Sequence, residues 1–422
     1  MYEKLSLAKT SKYIYDRMAD LGYAVDNISL REVGRGSHGY IYRMYDTTGP
    51  DKKWALKWIH ILYQDRSPND NSEMLYWKRC CQEPNQVASA NLLKIHHVDE
   101  EIILMDYHEG MDLLKLHDKY PARARKAIEN SCTGLLGGLE EMNGRGVVHG
   151  DIKLNNLVFD EEKELLVIVD FGTASECALD NTLESGAGIL AMYCSPETIL
   201  SKDCFRRKSD LWSLGVVMFE AITARKMFMV LDFAKSELGP LDENLYSLSY
   251  FFYTSAKALE LAHSNPERWY NFIDQEIDKV GDDLENSDFW KVFLRGILDP
   301  DFKTRLTVAE ALEISSAEDQ RRMGAEKRKP EEIVQTVLER RPKKEGEMVE
   351  KEKLGGVAKE EERKRKEEEE KKGREEEEKQ REVKKEEEIS QRISAVRQRG
   401  KLQRALKFVL GGLQNFFGLV KR

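Results

Sequence analysis

The stretch His149-Gly150-Asp151-Ile152-Lys153-Leu154-Asn155-Asn156 decides the reading of this 422-residue chain. It sets a carboxylate, a cation and an amide in an otherwise apolar neighbourhood, with Val147-Val148 before it and Leu157-Val158-Phe159 after it. Polar groups in such surroundings are costly unless they are paired or used. Val167-Ile168-Val169-Asp170-Phe171-Gly172 follows, a pattern that predicts a buried strand ending in a carboxylate at a glycine turn.

Upstream, Gly34-Arg35-Gly36-Ser37-His38-Gly39 spells G-x-G-x-x-G. Gly34, Gly36 and Gly39 would let the backbone fold tightly enough for its N–H groups to reach phosphate oxygens. Alone this signal is weak. Trp54-Ala55-Leu56-Lys57 then ends an apolar strand on a lysine, and Glu73, sixteen residues on, can pair with it. Phosphoryl transfer needs Mg²⁺ ligands, a cation on the phosphates and an acceptor for a hydroxyl proton. Asn156 and Asp170 offer hard oxygen ligands suited to Mg²⁺. Asp151 can accept the proton, and Lys153 can neutralise charge on the moving group. The whole set, in this order and spacing, is a strong signal.

On these residues the chain resembles a eukaryotic-type protein kinase over about 290 residues. The resemblance implies a bilobal α+β fold, a β-rich lobe followed by a helical lobe, with ATP and Mg²⁺ as cofactors and a protein as substrate. It implies that the glycine loop covers ATP and that Lys57 binds its phosphates while paired with Glu73. Ile41, Ala55 and Val158 would sandwich the adenine. Met105 falls at the gatekeeper position, Asp106 and His108 would meet the adenine through backbone groups, and Asp112 would reach the ribose. Ser195-Pro196-Glu197 resembles the segment closing the activation loop, and Asp210-Leu211-Trp212-Ser213-Leu214-Gly215 the start of the large lobe's central helix. Arg305 is then the expected partner of Glu197.

Several positions depart from the family pattern. Gly150 stands where kinases controlled by loop phosphorylation carry an arginine, which argues against such a switch. Thr182 and Ser185 therefore read as ordinary loop residues. Leu190 occupies the usual place of a threonine near the base, and His38 replaces the usual aromatic of the glycine loop. Lys153, two after the base, favours Ser/Thr over Tyr as acceptor. A pseudokinase scaffold acting through its C-terminal extension is the alternative, opposed by the presence of Lys57, Glu73, Asp151, Lys153, Asn156 and Asp170. A small-molecule kinase is disfavoured by Ser195–Glu197 and the Asp210–Gly215 match.

Charge divides the chain further. Residues 321–388 hold 23 Lys/Arg and 23 Glu, and residues 391–422 hold eight Lys/Arg and no acid. Residues 1–320 keep 36 Lys/Arg against 53 Asp/Glu, a net charge of −17. So acidic a body argues against nucleic acid as ligand. The six cysteines follow neither a disulfide framework nor metal-ligand spacing, as in a reduced, cytoplasmic protein. There is no signal-like N-terminus, and no stretch reaches the ~18 apolar residues of a membrane span.

The expected domains are an extension over 1–27, a kinase domain over 28–317, a linker over 318–357, a charged segment over 358–398 and a basic tip over 399–422. Leu7, Ile14, Met18 and Leu21 predict a short helix packed on the domain that follows. Pro330, Pro342 and Gly355-Gly356 suggest that the linker is not helical. Over 358–398, pairs such as Glu360–Lys364 and Glu367–Lys371 each add roughly 0.2–0.5 kcal/mol to a helix. A solitary solvated helix and charged disorder both fit. The tip places Leu402, Leu406, Val409, Leu413, Phe416 and Phe417 on an apolar stripe flanked by Arg399, Lys401, Arg404 and Lys407. It reads as a peripheral membrane helix or a groove-binding segment, or as a helix folded back on the acidic body.

Overall fold

In strand β3 (Lys53–Ile59) side chains alternate between two faces. Trp54, Leu56 and Trp58 share one face, and Ala55, Lys57 and Ile59 the other. Both faces are covered, so both carry apolar residues. The computed structural model describes residues 7–23, 28–36, 39–46, 53–59, 72–82, 88–99, 101–176, 193–200, 207–224, 229–238 and 248–340. Strand β3 lies at the centre of an antiparallel sheet with β1 (Ile28–Gly36), β2 (Gly39–Asp46), β4 (Ile95–Val98) and β5 (Ile102–Asp106), in the order β1-β2-β3-β5-β4.

Helix α1 (Leu7–Asp20) covers the Trp54 face. Its Ile14 and Met18, fully buried, pack with Tyr42, Met44, Leu56, Ile102 and Leu104. Register places Tyr42, Leu56 and Leu104 opposite one another. Arg17 pairs with Asp99, and the Tyr13 hydroxyl donates to Glu101, so the helix is also fixed by charge at its edge. The helix expected within 1–27 therefore belongs to the small lobe.

The large lobe is built around α6 (Arg207–Thr223), buried almost without a break from Ser209 to Ile222. A helix apolar all round belongs inside a core. It packs on α4 (Pro121–Gly144), and α3 (Leu113–Lys119) precedes α4. Two small antiparallel pairs flank the site residues: the hairpin β7 (Leu157–Asp160) with β8 (Leu165–Ile168), and the non-consecutive strands β6 (Val147–Val148) and β9 (Ser175–Glu176). Helices α5 (Pro196–Leu200), α7 (Met229–Leu238), α8 (Leu248–Ser264), α9 (Pro266–Asp278), α10 (Ser287–Ile297) and α11 (Val308–Arg322) complete the lobe among the described residues.

The linker expected from 318 is corrected over its first half. Helix α11 runs on to Arg322, and α12 (Pro330–Glu339) follows. Pro330 begins α12 rather than breaking it, because the first turn of a helix has no use for the missing N–H. Pro330, Ile333 and Val337 are buried, and α12 packs on α10 and α11. Helix α12 thus belongs to the same compact unit as the helices before it. The charged segment and the basic tip lie outside the described residues.

One buried ion pair ties α5 to the far end of the lobe. Arg305, 0% exposed, donates from both terminal nitrogens to Glu197 at 2.8 and 2.9 Å, as the sequence led us to expect. Its guanidinium also lies 4.8 Å from the ring centre of Trp212, which stacks on Trp269 at 5.8 Å. Burial pushes the Glu197 carboxyl up, but Arg305 outweighs it and holds the group below its ordinary value of 4.5. The stabilisation is therefore present above pH 4.5 and fades as pH falls through the lowered value. Arg305→Met, which strands the carboxylate, is expected to cost about 3–5 kcal/mol. Adding Glu197→Gln should recover part of that loss in chemical denaturation at pH 7.

Candidate active site

The site is assembled from both lobes. Gly34 and Gly36 close β1 and Gly39 opens β2, with Gly36 opposite Gly39; Ser37 and His38 lie outside the described residues. Ile41 pairs with Lys57, and Lys57 with Ile103. One step along, Arg43 pairs with Ala55 and Ala55 with Met105. Ile41, Ala55, Lys57 and Met105 consequently share the face opposite α1.

Lys57 Nζ donates to Glu73 Oε1 at 2.7 Å and stands 3.6 Å from Asp170 Oδ1. Burial lowers the ammonium's pKa, but the two carboxylates outweigh it and hold it above its ordinary value. Glu73 comes from α2 (Ser72–Tyr76), and the helix widens into a π turn over Trp77–Cys81. That turn buries Cys80 and Cys81, and burial pushes the Cys80 thiol up to about 12.

Across the cleft, Lys153 Nζ donates to Asp151 Oδ2 at 2.6 Å. Asn156 Nδ2 donates to the Asp151 carbonyl at 2.8 Å and to its carboxylate at 3.0 Å. With its amide nitrogen so committed, Asn156 keeps its side-chain oxygen as the ligand-type atom. Asp170 has a side chain 53% exposed and a φ of +64°, a left-handed conformation that Asp tolerates better than most residues. The donor set of Asn156 and Asp170 oxygens fits Mg²⁺, which takes one or two protein ligands and keeps waters.

Two further residues position the loop. The Asp210 carboxylate, in the first turn of α6, accepts the backbone N–H of His149 at 2.6 Å and of Gly150 at 2.9 Å. Burial pushes its pKa up. The sequence reading took Asp210 as a fold marker only. The available signal was an acid in the first turn of a largely apolar helix. His149 Nδ1 accepts the Asp151 N–H at 3.2 Å, so Nε2 is the atom that donates to the Val169 carbonyl at 3.1 Å. Phe171 stacks on Tyr76 with ring centres 3.4 Å apart and lies 4.9 Å from His149. Tyr76 had not been singled out from sequence, because a buried aromatic on a helix has many uses.

Between the lobes, Asp106 donates its N–H to Lys94, and Asp112 caps α3 by accepting the Lys115 N–H at 2.9 Å. Asp112 and Val158 form a backbone bridge, which brings the expected ribose and adenine residues side by side. Thr182, Ser185 and Leu190 lie outside the described residues.

The family model described as "Protein kinase domain" matches residues 28–315. Mitogen-activated protein kinase kinase kinase 3 of Arabidopsis thaliana is 26% identical over 197 residues, covering 46% of this chain and 32% of the relative. Mitogen-activated protein kinase 12 of Danio rerio is 28% identical over 246 residues, or 54% of this chain and 60% of the relative. Serine/threonine-protein kinase PrkC of Bacillus subtilis is 27% identical over 205 residues, or 47% and 30%. The chain thus spans between about a third and 60% of these relatives' length. A family model that matches more than half of the chain places it in the protein kinase family.

Proposed function

We propose that the chain transfers the γ-phosphoryl group of ATP to Ser or Thr hydroxyls of a protein. The observation that carries this reading is the pairing of Lys57 with both Glu73 and Asp170 while Asp151 is held by Lys153 and Asn156. Lys57 supplies positive charge to the phosphates without having to move, because its position is already fixed. Asp151, its N–H held by His149, accepts the proton of the attacking hydroxyl. Lys153 then balances the charge that builds up on the transferring oxygens. Asn156 and Asp170 would hold Mg²⁺, whose chemistry is to neutralise charge between the terminal phosphates.

Lys153 supports a Ser/Thr acceptor. Gly150 supports control by something other than a phosphorylated loop. Its φ is +78°, a left-handed conformation that glycine adopts without strain and that costs most other L-residues. The basic tip supports peripheral contact with an anionic membrane or a partner's groove. Among the described residues no helix is long and apolar enough to cross a membrane.

Asp151→Asn should lower phosphate incorporation from labelled ATP into a generic protein substrate by about 10²–10⁴-fold. Equal incorporation by variant and wild type would instead favour the scaffold reading. Gly150→Ala should destabilise the chain by about 1–2 kcal/mol in denaturant titration, whereas no loss would mean that the positive φ is unimportant. On anionic vesicles at physiological salt, glutamine at Arg399, Lys401, Arg404 and Lys407 should weaken binding of the full chain at least tenfold, each charge contributing about 1 kcal/mol. Unchanged binding would remove the membrane assignment.

A further inference from the structure

The segment joining β5 to α3 carries polar contacts that phosphoryl transfer itself does not use. The side chains of His108 and Asp160 are each 5% exposed, and Nδ1 of His108 lies 2.7 Å from Oδ2 of Asp160. Asp160 is fixed independently: its Oδ1 accepts the backbone N–H groups of Glu162 and Lys163, both at 3.0 Å. A carboxylate can only accept, so Nδ1 of His108 is the donor. Burial pushes the Asp160 carboxyl up, but His108 and the backbone donors outweigh it and hold the group below its ordinary value.

The same segment is bound to the large lobe along its backbone. Phe159 donates its N–H to Met111 at 3.0 Å, and Glu161 to Glu109 at 2.9 Å. Gly110 permits this approach, since a Cβ there would stand 1.8 Å from the Phe159 carbonyl oxygen. On the other side Glu109 Oε2 accepts from Arg43 at 3.0 Å and from Lys53 at 3.1 Å, and Lys53 also pairs with Glu162. His108, which the family resemblance implies would meet adenine through its backbone, is therefore anchored by its own side chain.

We propose that the His108 side chain is a positioning residue for nucleotide: by donating to Asp160 it holds the 106–108 backbone in the pose that receives adenine. The proposal rests on the ATP reading above and assigns a task to a side chain which that reading leaves idle. Backbone recognition is selective only when the backbone is already in place, because ordering it on binding weakens affinity. Adenine contacts are made equally in the ground and transition states, so their loss raises KM and leaves kcat.

The test compares full-length His108→Asn and His108→Leu with wild type. The two substitutes are similar in size, but only asparagine carries an N–H able to reach Asp160. Steady-state rates at varied ATP and calorimetric titration with Mg·ADP give KM, kcat and Kd. His108→Leu should raise both KM for ATP and Kd for ADP about 5- to 30-fold, as loss of a buried hydrogen bond to a charged group allows. Its kcat should stay within about twofold, and His108→Asn should recover most of the affinity. Equal KM and Kd in the two variants would overturn the proposal. So would a loss of kcat in step with a falling melting temperature at unchanged KM, the mark of a merely structural side chain. Wild-type protein that fails to bind Mg·ADP would overturn the ATP reading itself, an outcome visible before any variant is compared.

Discussion

Two backbone amides, those of His149 and Gly150, end on one carboxylate at the centre of the large lobe. Asp210 is 4% exposed on a helix buried along most of its length, and the loop it holds cannot shift without stranding a buried anion. The turn so imposed puts Gly150 at a positive φ and presents Asp151 with its carboxylate toward Lys153 and Asn156. From the same loop His149 reaches the Val169 carbonyl and the ring of Phe171, and Phe171 stacks on Tyr76 of α2. Glu73 is on that short helix. Asp151 in one lobe and Lys57 in the other are thereby linked by packed side chains.

This arrangement suits a reaction in which the protein supplies position and charge rather than covalent chemistry. Cations and carboxylates in the cleft are paired with one another in advance, Lys57 with Glu73 and Lys153 with Asp151, so little reorganisation remains for the moment of transfer. Their energetic role differs from that of the pair between Glu197 and Arg305, which is sealed from water and contributes to the fold alone.

Motif residues were legible in sequence because spacing and chemistry constrain each other. A lysine ending a strand, an acid sixteen residues on and an acid at a glycine turn have few joint explanations, and the structure brings all three within reach of one another. The Glu197–Arg305 pair was likewise readable, though 108 residues separate its members. Asp210 and Tyr76 were harder, since their task depends on which backbone or ring they meet across the core. The π turn at Trp77–Cys81 has no distinctive composition. Helix α12 was misread because Pro330 was weighed as a breaker, when its position at the first turn and the spacing of Ile333 and Val337 indicated a start. The His108–Asp160 contact joins two segments 52 residues apart and carries no local pattern.

The most direct test of the account is the stoichiometry of a single turnover with the full-length chain in excess over Mg·ATP and a protein acceptor present. The proposed function predicts one phosphoserine or phosphothreonine formed for each ADP released. Absence of ADP, or ADP released without a matching phosphoester, would contradict it.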